Sequence, residues 1–197
     1  MSKRLKKELQ IQIDEKLGQL FLGDKKKDLR LLMLRPIDLI EFTEFAGAQS
    51  DDILIWVGKT LGRAYMEKFF YKKDWSSETM ATKKEVVLGN LEALELTGFG
   101  ELTAVFKKKF ILFSVSESLA SEEKDNIMAK NLCLLYHGIF SGILDILQID
   151  ADGEEIQCVL LGNEQCIFKF DFIAEELEDG LVDGDSKENV TGFLSTL

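Results

Sequence analysis

An α+β fold, with an antiparallel sheet of four or more strands covered by helices, is what this sequence predicts. Three observations carry it. Residues 96–106 and 109–116 are rich in strand-forming side chains and are joined by lysines, so they read as paired strands. Residues 130–147 are apolar at most positions and read as a buried helix. Two short segments rich in Ile, Val, Leu and Phe follow, separated by Gly162-Asn163, a dipeptide that closes hairpins.

Taken in order, the chain divides into a basic amino-terminal extension (1–28), a folded domain (29–172) and an acidic carboxy-terminal tail (173–197). In the extension, lysine-rich clusters at 3–7 and 25–27 flank LGQLFLG at 17–23. An appended helix or strand with a solvated polar face accounts for this pattern. Basic residues beside Leu and Phe also suit peripheral contact with anionic lipid. Residues 29–34 read as a strand, ended by Arg35 and by Pro36, the only proline. Pro36 fits the first turn of a helix running through Phe45.

Asp51-Asp52 opens a second helix, through about Tyr71, with acids at its positive end. Ile53, Trp56, Val57, Leu61, Ala64 and Tyr65 are expected on its buried face. Gly58-Lys59-Thr60 looks like the end of a phosphate-binding loop, but position 53, where that loop needs glycine, is isoleucine. The nucleotide reading fails. Gly58 and Gly62 instead permit close helix packing. A third helix, about 78–94, carries Met80, Val86, Val87, Leu91 and Leu94 on its apolar stripe. In 109–116, Phe110, Leu112, Ser114 and Ser116 alternate with Ile111, Phe113 and Val115, so both faces of that strand should be covered. The lysines at 107–109 are a solvated turn. Asp150-Ala-Asp-Gly153 marks the turn after the glycine-bearing helix. Residues 175–188 hold seven acids against one lysine and read as a mobile acidic tail.

Length and composition narrow the function classes. A chain of 197 residues, 46% hydrophobic, makes one domain able to bury about 70% of its unfolded surface. Its net charge of −11 and pI near 4.7 argue against nucleic acid, where a basic footprint supplies most of the attraction. No apolar run reaches the roughly 18–20 residues that span a bilayer. The start, MSKRLKKELQIQIDEK, lacks the apolar core of a secretory signal, so the cytoplasm is the expected location. There is no GxSxG elbow, no HExxH, no glycine-rich dinucleotide loop and no second histidine to serve a nucleophile. Catalysis is not expected.

The side chains that can hold a metal are concentrated. All three cysteines, Cys133, Cys158 and Cys166, and the only histidine, His137, fall between residues 130 and 172. A register that sets Cys158 opposite Cys166 puts Ile156, Leu160, Phe168 and Phe170 on one apolar face. A two-residue Gly-Asn loop would place the cysteines on opposite faces, so a longer loop or a bulge near Gly162 is expected. Glu155 has the opposite parity, and its reaching a common centre requires a second irregularity.

At these residues the chain resembles the 4-vinyl reductase (4VR) domains, which share a fold with the vesicle-tethering TRAPP subunits. The match is a cysteine followed five and nine residues later by glycines (Cys133, Gly138, Gly142). After it comes a Glu-x-x-Cys-x-x-x-Gly-x-x-x-Cys-x-Phe string, here Glu155, Cys158, Gly162, Cys166 and Phe168. Upstream, LRPIDLIEF (34–42) and DDILIWVGKTLGRAYMEKF (51–69) look like that family's opening strand and long helix with paired glycines. The resemblance covers roughly residues 30–172.

It implies a zinc ion bound by Cys133, Glu155, Cys158 and Cys166, bracing the corner between helix and hairpin. A tetrahedron closed by thiolates and a carboxylate leaves no open position, so such zinc is structural. His137, four residues after Cys133 on the same side of the helix, is the alternative to Glu155 as fourth ligand. Three thiols packed as small hydrophobes, or a disulfide, are the other readings of the cysteines. The resemblance also implies a homodimer.

Two functions follow. One is a non-enzymatic cytoplasmic sensor or regulatory domain, binding a small aromatic or lipid-like molecule in an apolar pocket. Its candidate lining is Trp56, Phe113, Tyr136 and Phe140, residues that also read as plain core. The other is a TRAPP-like adaptor or scaffold, acting in protein assembly or membrane tethering, where some relatives hold an acyl chain. The family name refers to pigment biosynthesis, but no activity carries over, because the matched residues are the metal set and the packing glycines.

Overall fold

The computed structural model describes residues 9–23, 29–70 and 74–173. The lysine clusters at 3–7 and 25–27 and the acidic segment at 175–188 lie outside the described residues. The first three strands, β1 (Ile11–Asp14), β2 (Gln19–Leu22) and β3 (Leu29–Leu31), form a small antiparallel sheet in chain order. Leu9 and Leu22 join the main hydrophobic core. β3 ends three residues short of the expected strand, leaving Leu32, Met33 and Leu34 exposed.

Helix α1 (Pro36–Ala46) starts at Pro36, as its fixed φ favours. Helices α2 (Ser50–Phe69) and α3 (Met80–Leu96) follow. α3 buries the expected Met80, Val86, Val87, Leu91 and Leu94. The next strand, expected from residue 96, starts only at Glu101. Leu96 closes α3, and Gly98 and Gly100, at φ +93° and +88°, make the turn out of it.

The main sheet is antiparallel, in the order β4 (Glu101–Phe106), β5 (Phe110–Ser116), β7 (Cys166–Phe172), β6 (Ala151–Gln157). The strand alternation is borne out on both faces of β5, where all of Ile111, Leu112, Phe113, Ser114 and Val115 are buried. Helix α4 (Lys130–Ile146) lies between this sheet and α2. It is apolar at most positions because it is covered on two sides. Toward α2 the contact is backbone on backbone. A Cβ on Gly58 would run into the Leu135 carbonyl oxygen, and one on Gly142 into that of Lys59. Toward the sheet, Phe140 stacks on Phe113 with centroids 4.3 Å apart and planes 5° apart.

The turn expected at 150–153 sits earlier. Gln148 takes the left-handed conformation, φ +55°, and Ala151 already begins β6. Gly153 serves packing instead: a Cβ there would collide with the ring of Phe170.

Candidate metal centre

Cys133 sits one turn into α4, while Glu155, Cys158 and Cys166 come from the β6–β7 hairpin. Two irregularities of the backbone bring them together. The hairpin loop is long, with a 3-10 turn at Val159–Leu161 followed by Gly162 at φ +89°. The register of β6 against β7 also shifts by one residue between Glu155 and Gln157. Before the shift Glu155 pairs with Phe168, so it shares the face of Phe168 and Cys166. Ile156 is the extra residue of the bulge. The parity that separated Glu155 from the cysteines is thereby undone.

One donor atom from each of Cys133, Glu155, Cys158 and Cys166 lies within 4.8 Å of all the others. The three cysteines are buried and unbridged. Cys133 Sγ and Cys158 Sγ are 3.6 Å apart, far beyond the ~2.05 Å of a disulfide. That separation is close to the ~3.8 Å expected of two thiolates placed tetrahedrally at ~2.3 Å from zinc. Oε1 of Glu155 is buried without a hydrogen-bond partner in the protein, which suits a carboxylate aimed at a cation. Three soft sulfurs and one oxygen favour zinc over magnesium or calcium.

The protonation chemistry agrees with this fit. The hydrogen bond to Cys166, and then burial, push the Cys133 thiol far above its ordinary value. The same bond holds Cys166 below its own, helped by the backbone N–H of Val159, which points at its sulfur from 3.5 Å. Burial raises Cys158 to about 11. Without a cation the cluster shares protons; a bound cation would replace them.

His137 is not among the converging donors. Its Nε2 lies 2.9 Å from the Gly153 carbonyl oxygen, and its ring stacks on Phe170 at 5.4 Å. The four-residue step from Cys133 carries it one helical turn along, against β6 instead of the hairpin loop. Glu155 is thus the residue positioned to complete the site.

The expected pocket set is split. Trp56 is 67% exposed, because the buried face of α2 is centred on Leu54, Gly58, Gly62, Tyr65 and Met66. Trp56 is a surface residue. Phe113, Tyr136 and Phe140 do come together in the core. Tyr136 donates to the Phe99 carbonyl at 2.8 Å and accepts from the Leu119 N–H at 3.0 Å, so its hydroxyl is committed within the protein. Asn90, which is not among the residues expected from the sequence, is fully buried in mid-α3 with no hydrogen-bond partner for its side chain. Its signal was an amide at helical spacing from Val86, Val87 and Leu94.

No protein-family model matches the chain, and no curated protein sequence matches it. Among solved structures, its fold is similar to that of the phenol-responsive sensory domain of the transcription activator PoxR, determined with phenol. The TM-score is 0.58, with 17% identity over 90% of each chain. A weaker likeness is to an H-NOX protein from S. oneidensis in the Fe(II)NO ligation state (TM-score 0.47, 12% identity, 73% of this chain and 79% of that one). Another is to a trafficking protein particle complex subunit 3 from Naegleria fowleri covalently bound to palmitic acid (TM-score 0.43, 14% identity, 69% and 95%). Among the described residues, no helix is long and apolar enough to cross a membrane.

Proposed function

We propose that this protein is a non-enzymatic, cytoplasmic ligand-binding domain of the 4-vinyl reductase type. It serves as a sensor or regulatory module, and a structural zinc pins α4 to the β6–β7 hairpin. The observation that carries this is the convergence of Cys133, from α4, with Glu155, Cys158 and Cys166, from the β6–β7 hairpin, on one centre. Four protein donors fill a tetrahedron, so the ion has no position for substrate, and its work is mechanical. It holds one wall of the helix–sheet sandwich in place while another part of the core takes up a ligand. Thiolates available for metal are at home in a reducing compartment. The fold likeness to a phenol-responsive sensory domain supports a small aromatic molecule as the ligand class.

Native mass spectrometry of freshly purified full-length protein tests this. The expected spectrum shows about one zinc per chain, as a closed site requires, and a small organic guest released on unfolding. A chain that carries zinc but never a guest, and that sediments with anionic liposomes, would contradict the sensor role.

That second outcome belongs to an adaptor, and one feature favours it. Leu32, Met33 and Leu34 are 81%, 80% and 57% exposed, and Phe42 and Phe45, one turn apart on α1, are 50% and 92% exposed. Large apolar side chains left exposed along one stretch of chain suit protein or membrane contact. In this reading the surface binds a second copy, giving a homodimer, or a partner subunit.

A further inference from the structure

The small sheet ends in an apolar tip. Ile13 of β1 pairs with Leu20 of β2, which pairs in turn with Leu31 of β3. In this antiparallel order β1 and β3 run the same way, so the chain after Ile13 and the chain after Leu31 leave the sheet at one end. The first is the β1–β2 turn with Leu17, and the second is Leu32-Met33-Leu34. Ile13 and Leu17 are 69% and 65% exposed, and Leu32, Met33 and Leu34 are exposed as well. Five large apolar side chains are thus left in water at that end, although Leu22, Leu29 and Leu31 of the same sheet pack on the core.

Charge is divided along the chain in the same place. Residues 1–35 hold ten lysines and arginines against five acids, net +5, within a chain of net −11, so the remainder carries −16. Lys16 adjoins Leu17, and Arg35, which shares its charge with Asp38, adjoins Leu34; both cations are exposed. Asp14 is engaged in the turn, accepting from the N–H groups of Lys16 and Leu17. Lys25, Lys26 and Lys27 fall in the connection from β2 to β3. β3 is three residues long, so that connection starts about 10 Å from the tip, about one Debye length at 0.1 M salt.

Apolar side chains set among cations match one kind of surface. An anionic bilayer takes the apolar groups at the acyl boundary and the cations at the headgroups. It repels the acidic remainder of the chain, which fixes the orientation. An acidic protein surface, that of a second copy included, would satisfy the lysines but would bring carboxylates where the leucines need an apolar partner.

We propose that this end of the small sheet is a membrane-docking tip, inserting Leu17, Leu32, Met33 and Leu34 into an anionic bilayer while the basic residues around it engage the headgroups. The tip goes beyond both readings above, since it uses neither the core nor Phe42 and Phe45 of α1. A docked sensor still carries its guest.

Flotation of full-length protein tests this, with vesicles of phosphatidylcholine alone and of phosphatidylcholine with one quarter phosphatidylserine. Binding to the anionic vesicles should be about tenfold or more the stronger, and salt should weaken it. Leu32→Asp combined with Met33→Asp should reduce it about tenfold or more, at an unchanged urea midpoint because both side chains lie outside the core. Lys25→Gln, Lys26→Gln and Lys27→Gln together should lower the preference for anionic vesicles. Failure to float with either vesicle, equal binding to both, or binding undiminished in the double aspartate variant overturns the tip. A dimer in sedimentation velocity that this variant abolishes, without flotation of the wild type, overturns it too and gives the surface to a second copy. None of these results alters the zinc or the guest read by native mass spectrometry, so the sensor reading stands or falls separately.

Discussion

Gly58 of α2 and Gly138 of α4 meet backbone to backbone: a Cβ on the first would stand 2.9 Å from the Cα of the second, and the reverse distance is 3.0 Å. Gly62 and Gly142 repeat the contact one turn along, against Ile139 and Lys59. Intrinsic propensity favours alanine over glycine in a helix by about 1 kcal/mol. Here the missing Cβ lets α4 sit deep enough to reach both α2 and the sheet. Gly58→Ala should therefore destabilise by about 1–3 kcal/mol, the range for overpacking. A urea midpoint shifted downward checks it; an upward shift would mean that the helices do not touch there.

His137 is expected to matter for packing and not for metal. His137→Ala removes the contact with the Gly153 carbonyl and the stacking on Phe170. The hydrogen bond alone is worth about 0.5–1.5 kcal/mol. Thermal unfolding should register the loss while zinc content stays at the wild-type level. A parallel fall in zinc would put His137 in the coordination shell in place of Glu155.

These residues also mark what could be read from the sequence. The cysteine spacing placed three sulfurs on one helix and one hairpin, and the strand alternation of 109–116 foretold a strand covered on both faces. The glycine pairs at 58/62 and 138/142 announced close packing, though not that they would meet each other. What failed depended on long-range context. Apolar spacing puts Trp56 on a buried stripe because it counts side chains, whereas α2 is buried along its glycines. Glu155 had the wrong parity until the bulge at Ile156, a departure no local pattern encodes. Around 17–23 the sequence allows either a helix or a strand, because the apolar segment is short and flanked by lysines; the structure makes it β2 of an antiparallel pair.

Acid should release the metal. Burial holds the Cys158 thiol up to about 11, and Cys133 is also raised, so binding a cation must expel their protons. Occupancy measured against a competing chelator should therefore fall as the pH is lowered. In metal-free protein the sign reverses for these two thiols. Between the ordinary value of 9.0 and about 11, the unfolded chain loses protons that folded Cys158 keeps. Their contribution to stability is whole below that window and declines as pH rises through it. Cys166, held low, works the other way and adds stability as pH rises toward 9.0. Urea midpoints of chelator-treated protein across pH would reveal a contribution that turns downward above 9.0.

The apolar surface of α1 should be separable from the fold. Phe45 is 92% exposed, so Phe45→Glu should change stability by no more than about 0.5 kcal/mol. If that surface joins two copies, sedimentation velocity will show the dimer fraction collapsing at unchanged thermal midpoint. A large loss of stability would instead place Phe45 in the core.

The most direct measurement is elemental analysis of protein purified under reducing conditions without added metal, wild type beside Cys158→Ser. About one zinc per wild-type chain and a marked loss in the variant, with a lower unfolding temperature, is the predicted result. Wild-type protein that stays free of zinc even after zinc is supplied, with its three thiols open to titration, would contradict a metal centre tying α4 to the β6–β7 hairpin.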